Sequence, residues 1–199
     1  WPRLRPLAAG ASQLRRAIDR PLTGAGGMNH ARTPVLRDVV LAGGGHSHVG
    51  VLRSFAMRPW PGVRLTLVSR DVQSPYSGML PGYVAGIYDF DEVHVDLARL
   101  AAFAGARFIC AEVQGIDRTS GQLLLRERPP IGYDLLSINI GSTPRLDQVP
   151  GAAEHAVAVK PIADFNRRWL ALHERVRRHA GAMVIAVVGG GAGGVELTL

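Results

Sequence analysis

The stretch best equipped for chemistry is LAGGGHSHVG, residues 41–50, where Gly43, Gly44 and Gly45 run directly into His46, Ser47 and His48. Two histidines and a serine could bind a metal, move a proton, or close a loop around an anion. The metal reading is poor. Residues two apart point about 200° apart on a helix, and no third ligand of the usual kind lies nearby. Zinc is also short of thiolates, because Cys110 is the only cysteine in the chain. A catalytic role for His46 stays open, since it would sit where the loop meets a bound cofactor. The nucleotide reading is stronger: two glycines at the start of such a loop give a tight turn and let a pyrophosphate approach the backbone.

A second loop, VVGGGAGGVEL, repeats the pattern at residues 187–197. Gly189, Gly191 and Gly194 occupy the three glycine places of G-x-G-x-x-G, the third of which allows close packing of helix on strand. The first loop has Gly43 and Gly45 in two of those places and His48 in the third. His48 therefore predicts a slightly displaced helix, with phosphate binding retained. The acid expected to hold a ribose at the end of the second strand is also missing. Ser69 stands there, followed by Arg70 and Asp71. Ser69 can hydrogen-bond a hydroxyl, Asp71 is close enough to reach, and Arg70 could instead meet phosphate or adenine. Two loops point to two nucleotides.

Elements that position these loops are legible in the apolar pattern. Val39–Ala42 reads as a strand, His48–Met57 as a helix ending before Pro59, and VRLTLV at 63–68 as a second strand between turn residues. Strand, glycine turn, helix and strand form a βαβ unit, which requires a right-handed crossover and a parallel sheet. SPYSGMLPGYVAG, 74–86, is too rich in Gly and Pro for a regular element and too apolar for a plain surface loop, so it is expected to line something. VDLARLAAFAG, 95–105, has helical spacing, with Asp96 to cap it and Gly105 to end it. ARFICAEVQGI, a turn at Thr119-Ser120-Gly121, and QLLLRE read as a β-meander. YDLLSINIGS, 133–142, reads as a further buried strand. Ile162, Phe165, Trp169, Leu172 and Val176 form one apolar stripe on a helix, leaving Arg167, Arg168, Arg175, Arg177 and Arg178 as a solvated face. Gly181 ends that helix, and AMVIAVV, 182–188, reads as a strand leading into the second glycine loop.

Composition narrows the function classes. The 199 residues carry a formal net charge of +7. Residues 1–37 hold Arg3, Arg5, Arg15, Arg16, Arg20, Arg32 and Arg37 against Asp19 alone, so the remainder is close to neutral and no nucleic-acid surface is expected. Residues 1–36 are expected to be a disordered basic leader, given Pro2, Pro6, Pro21 and the TGAGG cluster. Their composition fits a presequence, and it fits equally an over-extended frame ahead of a start at Met28. The longest apolar run is far short of the roughly 20 residues a membrane helix needs. A single cysteine fits a reducing, cytoplasmic setting, and Cys110, inside an apolar strand, reads as a small core residue.

These motifs, in this order from about Arg37 to Leu199, resemble the pyridine nucleotide-disulfide oxidoreductase superfamily, flavoproteins with an FAD domain followed by an NAD(P) domain. VEL after the last glycine resembles the type II NADH dehydrogenase-like branch. GGGHSHV with SPYSGMLPG resembles more closely the FAD/NAD(P)-binding domain found alone or fused to selenide, water dikinase. The resemblance implies an α/β, FAD/NAD(P)-binding Rossmann-like fold, with a parallel sheet plus β-meander and the start of a second dinucleotide-binding domain. The implied organisation is a leader at 1–36, an FAD domain at 37–150, a crossing segment and helix at 151–181, and an NAD(P) domain beginning at 182–199. FAD contacts are implied at Gly43, Gly44, Gly45, His46, Ser47, Ser69, Arg70 and Gly141, an adenine contact to backbone near Val113, and flavin proximity for Pro81. NAD(P)H contacts are implied at Gly189, Gly191, Gly194 and Glu196.

The resemblance further implies hydride transfer from NAD(P)H to FAD and then to an acceptor such as a quinone, in the N-terminal portion of a longer flavoenzyme. Selenide, water dikinase is the implied fusion partner or associate. Contact with the inner face of a membrane is left undecided between a cytoplasmic and a peripheral placement. Disulfide reductase chemistry is excluded, because it needs a redox-active cysteine pair. Two rivals remain: an NAD-dependent dehydrogenase with one working loop, and a non-catalytic nucleotide-binding partner in selenium metabolism.

Overall fold

A computed structural model describes residues 34–199. The expected leader lies outside them apart from its last three residues. The described chain divides into two compact units, one running up to Ser74 and resuming over His94–Ile140, the other made of Pro75–Val93 and Gly141–Leu199.

The first unit is a three-layer α/β structure. Strands β1 (Arg37–Ala42), β2 (Val63–Ser69), β5 (Arg107–Cys110) and β9 (Leu135–Ile138) form a sheet in the order β5-β2-β1-β9. Every pairing in it is parallel, with Leu41 beside Leu67 and Ser137. Helix α1 (His46–Met57) makes the crossover from β1 to β2, as the βαβ reading requires. A two-stranded ribbon of β3 (Gln73–Pro75) and β4 (His94–Asp96) precedes helix α3 (Leu97–Phe103). Asp96 caps α3 by accepting from the Arg99 amide at 2.9 Å, and Gly105 follows at φ +62°.

Side-chain alternation on the central strands divides the core in two. Leu41, Leu65 and Leu67 face one way and pack with Leu52 of α1 and Leu97, Leu100, Ala101 and Ala104 around α3. Val40, Ala42 and Val68 face the other way and pack on Leu123 and Leu125. Leu123 and Leu125 belong to an antiparallel meander, β6 (Val113–Asp117), β7 (Gln122–Leu125) and β8 (Arg128–Gly132). Leu52, Leu67, Leu97 and Leu100 have no exposed surface, and burying each contributes about 1.5–3 kcal/mol.

Three expectations change here. ARFIC is not part of the meander: it is β5 of the parallel sheet, and the chain leaves that sheet at Ala111-Glu112 before the meander begins. YDLLSINIGS is not a buried strand. Its ordered part, β9, pairs only with β1 and lies at the sheet's edge, leaving Leu135 and Ile138 more than half exposed. Cys110, at the end of β5, is exposed rather than core, and its thiol donates to the Arg70 carbonyl oxygen at 3.4 Å.

The second unit holds SPYSGMLPGYVAG from Pro75 onward, and this segment is more regular than expected. A 3-10 turn at Ser77–Met79 leads into helix α2 (Leu80–Val84). Pro81 sits in its first turn, where a missing N–H costs no hydrogen bond. Helix α4 (Ala152–His155) is followed by α5 (Ile162–Arg178). Phe165 is buried, with Ile162, Trp169, Leu172 and Val176 half-buried along the same stripe, while the five arginines are exposed. Tyr83 donates a hydrogen bond to Asn166, fastening α2 to α5, and burial pushes the Tyr83 hydroxyl above its ordinary pKa. The expected strand in AMVIAVV is absent: residues 182–188 have no ladder partner, and Val184 and Val188 are almost wholly exposed. An extended segment becomes a strand only when a neighbour accepts its hydrogen bonds. Helix α6 (Ala192–Thr198) follows and packs against α2.

Candidate dinucleotide-binding loops

Loop one lies at the carboxyl end of β1, where the sheet's order reverses: β2 is on one side of β1 and β9 on the other. In open α/β sheets this crevice is where ligands bind. Gly43 has φ +98°, and a Cβ there would stand 2.2 Å from the carbonyl oxygen of Asn139. A Cβ on Gly45 would stand 2.3 Å from the Asn139 side-chain oxygen. Two of the three glycines are thus required by one residue, Asn139, just past the end of β9. Asn139 also donates its amide to Ala42 at 2.8 Å and accepts from the Gly45 amide at 3.2 Å. A Cβ on Gly44 would meet Leu97 at 2.4 Å and the Ser69 hydroxyl at 3.0 Å.

Helix α1 opens two residues earlier than its apolar pattern predicts, at His46. Gly45, at its N-cap, supplies no side-chain cap, and the first turn carries no acid. His46 and Ser47 are exposed there, while His48 is buried. The N-terminus of a 12-residue helix, with no side-chain cap and no acid in its own first turn, is suited to an anion. Ser69, buried at the end of β2, stands beside Gly44. The backbone at this strand end is fixed from β5, because the Ala111 amide donates to the Ser69 carbonyl at 3.0 Å. Arg70 and Asp71 form an ion pair with each other at 3.3 Å. Tightly packed glycines, a helix terminus with no side-chain cap and a hydroxyl at the neighbouring strand end are thus brought together at one end of the sheet.

The sequence marks His48 as the departure from the glycine pattern and as half of an unpromising metal pair, and gives no hint of its partners. Its Nδ1 lies 2.7 Å from the Gly43 carbonyl oxygen and its Nε2 2.9 Å from Ser137 Oγ. Burial holds the ring's pKa below the ordinary histidine value, against a smaller opposing effect of the Gly43 bond. Among the described residues no group of three or more His, Cys, Asp or Glu could hold a metal.

Val113 opens β6 and is half-buried against the meander core. Gly141 is exposed at φ +79° with open space about it, so its glycine answers to backbone conformation alone. Pro81 is half-buried in α2.

Loop two keeps the local geometry of the fingerprint. Gly189 has φ +120°, Gly191 is the N-cap of α6, and a Cβ on Gly194 would stand 2.0 Å from the Gly189 carbonyl oxygen. The third glycine therefore permits a close approach within the turn itself, between α6 and the Gly189 carbonyl, rather than packing of a helix on a strand. Glu196 is exposed on α6. Among the described residues no helix is long and apolar enough to cross a membrane.

Comparison with known proteins agrees with this architecture. The NADH dehydrogenase-like protein YutJ of Bacillus subtilis strain 168 is 28% identical over 169 residues, covering 81% of this chain and 44% of that protein. The alternative NAD(P)H-ubiquinone oxidoreductase C1, chloroplastic/mitochondrial, of Arabidopsis thaliana is 28% identical over 150 residues, covering 67% of this chain and 29% of its own. The chain thus spans less than half the length of these curated relatives. The structure of the water-forming NADH oxidase of Lactobacillus brevis, bound to NADH, shares the fold with a TM-score of 0.64 at 22% identity, over 81% of this chain and 36% of that one. The family model for pyridine nucleotide-disulphide oxidoreductases matches residues 37–199, and the chain belongs to that family.

Proposed function

We propose that the chain is part of an FAD-dependent NAD(P)H dehydrogenase, with FAD on the Gly43 loop and NAD(P)H on the Gly189 loop. The observation that carries this reading is the pair of glycine turns, each opening a helix and each holding a glycine where a Cβ would strike backbone. When bound, FAD supplies the redox chemistry, taking a hydride from NAD(P)H and passing electrons to an acceptor. The protein's part is to hold and align. Gly43, Gly44 and Gly45 admit the pyrophosphate, His46 and Ser47 offer the helix terminus, and Ser69 with Arg70 takes the ribose or adenine side. Val113 backbone, Gly141 and Pro81 complete the FAD set; Gly189, Gly191, Gly194 and Glu196 make up the NAD(P)H set. No side chain need act as acid or base in hydride transfer, so a site without a catalytic dyad suffices.

For the acceptor, a quinone is the favoured class, supported by the ubiquinone oxidoreductase among the relatives. Fusion to or association with selenide, water dikinase rests on the GGGHSHV and SPYSGMLPG motifs alone. The test is an absorption spectrum of the purified protein before and after NADH is added under argon. A flavin spectrum that bleaches is expected. A colourless protein that still binds NADH would replace this reading with a single-nucleotide dehydrogenase. Bound flavin that no nicotinamide nucleotide reduces would favour a non-catalytic partner.

A further inference from the structure

We infer that His48 is a positioning residue that replaces the third glycine of the first loop with a hydrogen-bonded clip, tying the Gly43 carbonyl to Ser137 on β9. This rests on the reading that the loop holds FAD.

The ring is 2% exposed and both its nitrogens have a partner, as a buried imidazole requires. The partners fix the proton. A carbonyl oxygen only accepts, so Nδ1 carries the hydrogen and donates to Gly43, 2.7 Å away. In the neutral ring Nε2 is then bare, and the Ser137 hydroxyl donates to it across 2.9 Å. The Gly43 carbonyl and the Gly44 amide belong to one planar trans peptide and point in opposite directions. Drawing the carbonyl onto His48 therefore aims the Gly44 N–H away from the ring, as a donor for phosphate. Rotation of that peptide, unusually free between two glycines, is what the clip prevents.

The far end of the clip is held in the sheet ladder. Ser137 lies in β9, in register with Leu41 of β1. Two residues on, Asn139 packs against Gly43 and Gly45. One short segment thus gauges the loop twice, by hydrogen bond through His48 and by steric contact through Asn139. In the usual fingerprint the third glycine secures the loop by close helix-to-strand packing. A histidine cannot pack that closely, and here it secures the loop by spanning the gap.

The test is FAD affinity of the full chain, measured by flavin fluorescence on reconstitution of apoprotein, for the wild type, Ser137→Ala, Ser137→Thr, His48→Asn and the Ser137→Ala/His48→Asn pair. Alongside it, nitrogen NMR of His48 reads the tautomer. The expected results are an Nδ1-protonated ring and about a tenfold loss of affinity in Ser137→Ala, the scale of one lost hydrogen bond to a buried group. Ser137→Thr is expected to restore the affinity. The double variant is expected to be no weaker than the weaker single, because both break one unit. Lower melting temperatures with FAD affinity unchanged in Ser137→Ala would overturn the positioning role and leave the FAD reading intact. A wild type that binds no FAD, with the Nδ1-protonated ring present, would overturn the FAD reading of the loop. An Nε2-protonated ring would overturn the clip itself. Should His48→Asn fail to fold, the two Ser137 variants decide the matter.

Discussion

Two glycine loops in this chain share a spacing and differ in what stands behind them. The Gly43 loop ends a strand that has a parallel neighbour on each side, and its glycines are pressed against Asn139 and Leu97. The Gly189 loop follows a segment with no ladder partner, and only Gly194 is pressed, by the carbonyl of Gly189 in its own turn. One loop is shaped by residues distant in the chain, Asn139 nearly a hundred positions away. The other is shaped locally. Glycine spacing alone therefore encodes a turn and a helix start, whereas the surrounding sheet decides how much each glycine matters to stability.

Substitution of the first glycine in each loop should give the largest contrast. In Gly43→Ala the new Cβ meets a backbone oxygen at 2.2 Å in addition to a φ of +98°. Urea unfolding should show a loss of roughly 3 kcal/mol or more. Gly189→Ala bears only the conformational strain at φ +120°, with nothing within 4 Å of the Cβ, so about 1–2 kcal/mol is expected. Equal losses in the two variants would show that the backing of loop one contributes nothing.

Gly194→Ala reverses the contrast. Its Cβ would stand 2.0 Å from the Gly189 oxygen, so the turn must open. NADH binding, followed by fluorescence titration, should weaken at least about tenfold, near 1.4 kcal/mol, while bound flavin stays at the wild-type level. Loss of flavin together with NADH binding would mean that the two loops do not act independently.

Acid should act on loop one through His48. Its pKa is lowered in the folded protein, so the unfolded chain binds the proton more readily. The stability that depends on the neutral ring is complete above the ordinary value near 6.5 and is lost as pH falls from there toward the folded pKa. In denaturant titrations, replacing His48 by Asn should flatten the stability profile over that window. An unchanged slope would place the acid sensitivity elsewhere. The Asp38–Arg64 pair is one such place: the Arg64 guanidinium beside it holds the Asp38 carboxyl below the ordinary carboxylate pKa. The stability it adds is present above about pH 4 and is lost only in stronger acid.

Much of loop one was legible because its signals are local. The apolar run into Gly43, the β-branched VRLTLV and the Asp96 cap each announce an element from a few neighbouring residues. What failed was non-local. The ARFIC segment and the meander are both β-prone, and only pairing with β2 assigns the former to the parallel sheet. AMVIAVV has strong strand propensity and no partner, so propensity without a ladder yields no strand. Cys110 looked like core because its neighbours are apolar, yet it ends an edge strand and faces outward. The role of His48 was hidden for the same reason, since Ser137 is far along the chain. A signal did exist: a serine in the β9 strand, whose neighbours are apolar, raises the question of which buried group it serves.

The smallest effects are expected at the middle glycines, and they sharpen the comparison most cleanly because neither position needs an unusual backbone. A Cβ on Gly44 would approach Leu97 Cδ1 to 2.4 Å and Ser69 Oγ to 3.0 Å. The Leu97 contact is with the far end of a flexible side chain, which can turn aside at the cost of some core packing. Gly44→Ala should lose about 1 kcal/mol by urea unfolding. Gly190 has nothing within 4 Å of its Cβ, and Gly190→Ala should fall within about 0.5 kcal/mol of wild type. The difference between these two alanines measures only how closely the rest of the fold surrounds each loop. If Gly190→Ala proves the more costly of the two, then loop two is packed against something as closely as loop one is against Leu97, and the contrast drawn from their surroundings does not hold.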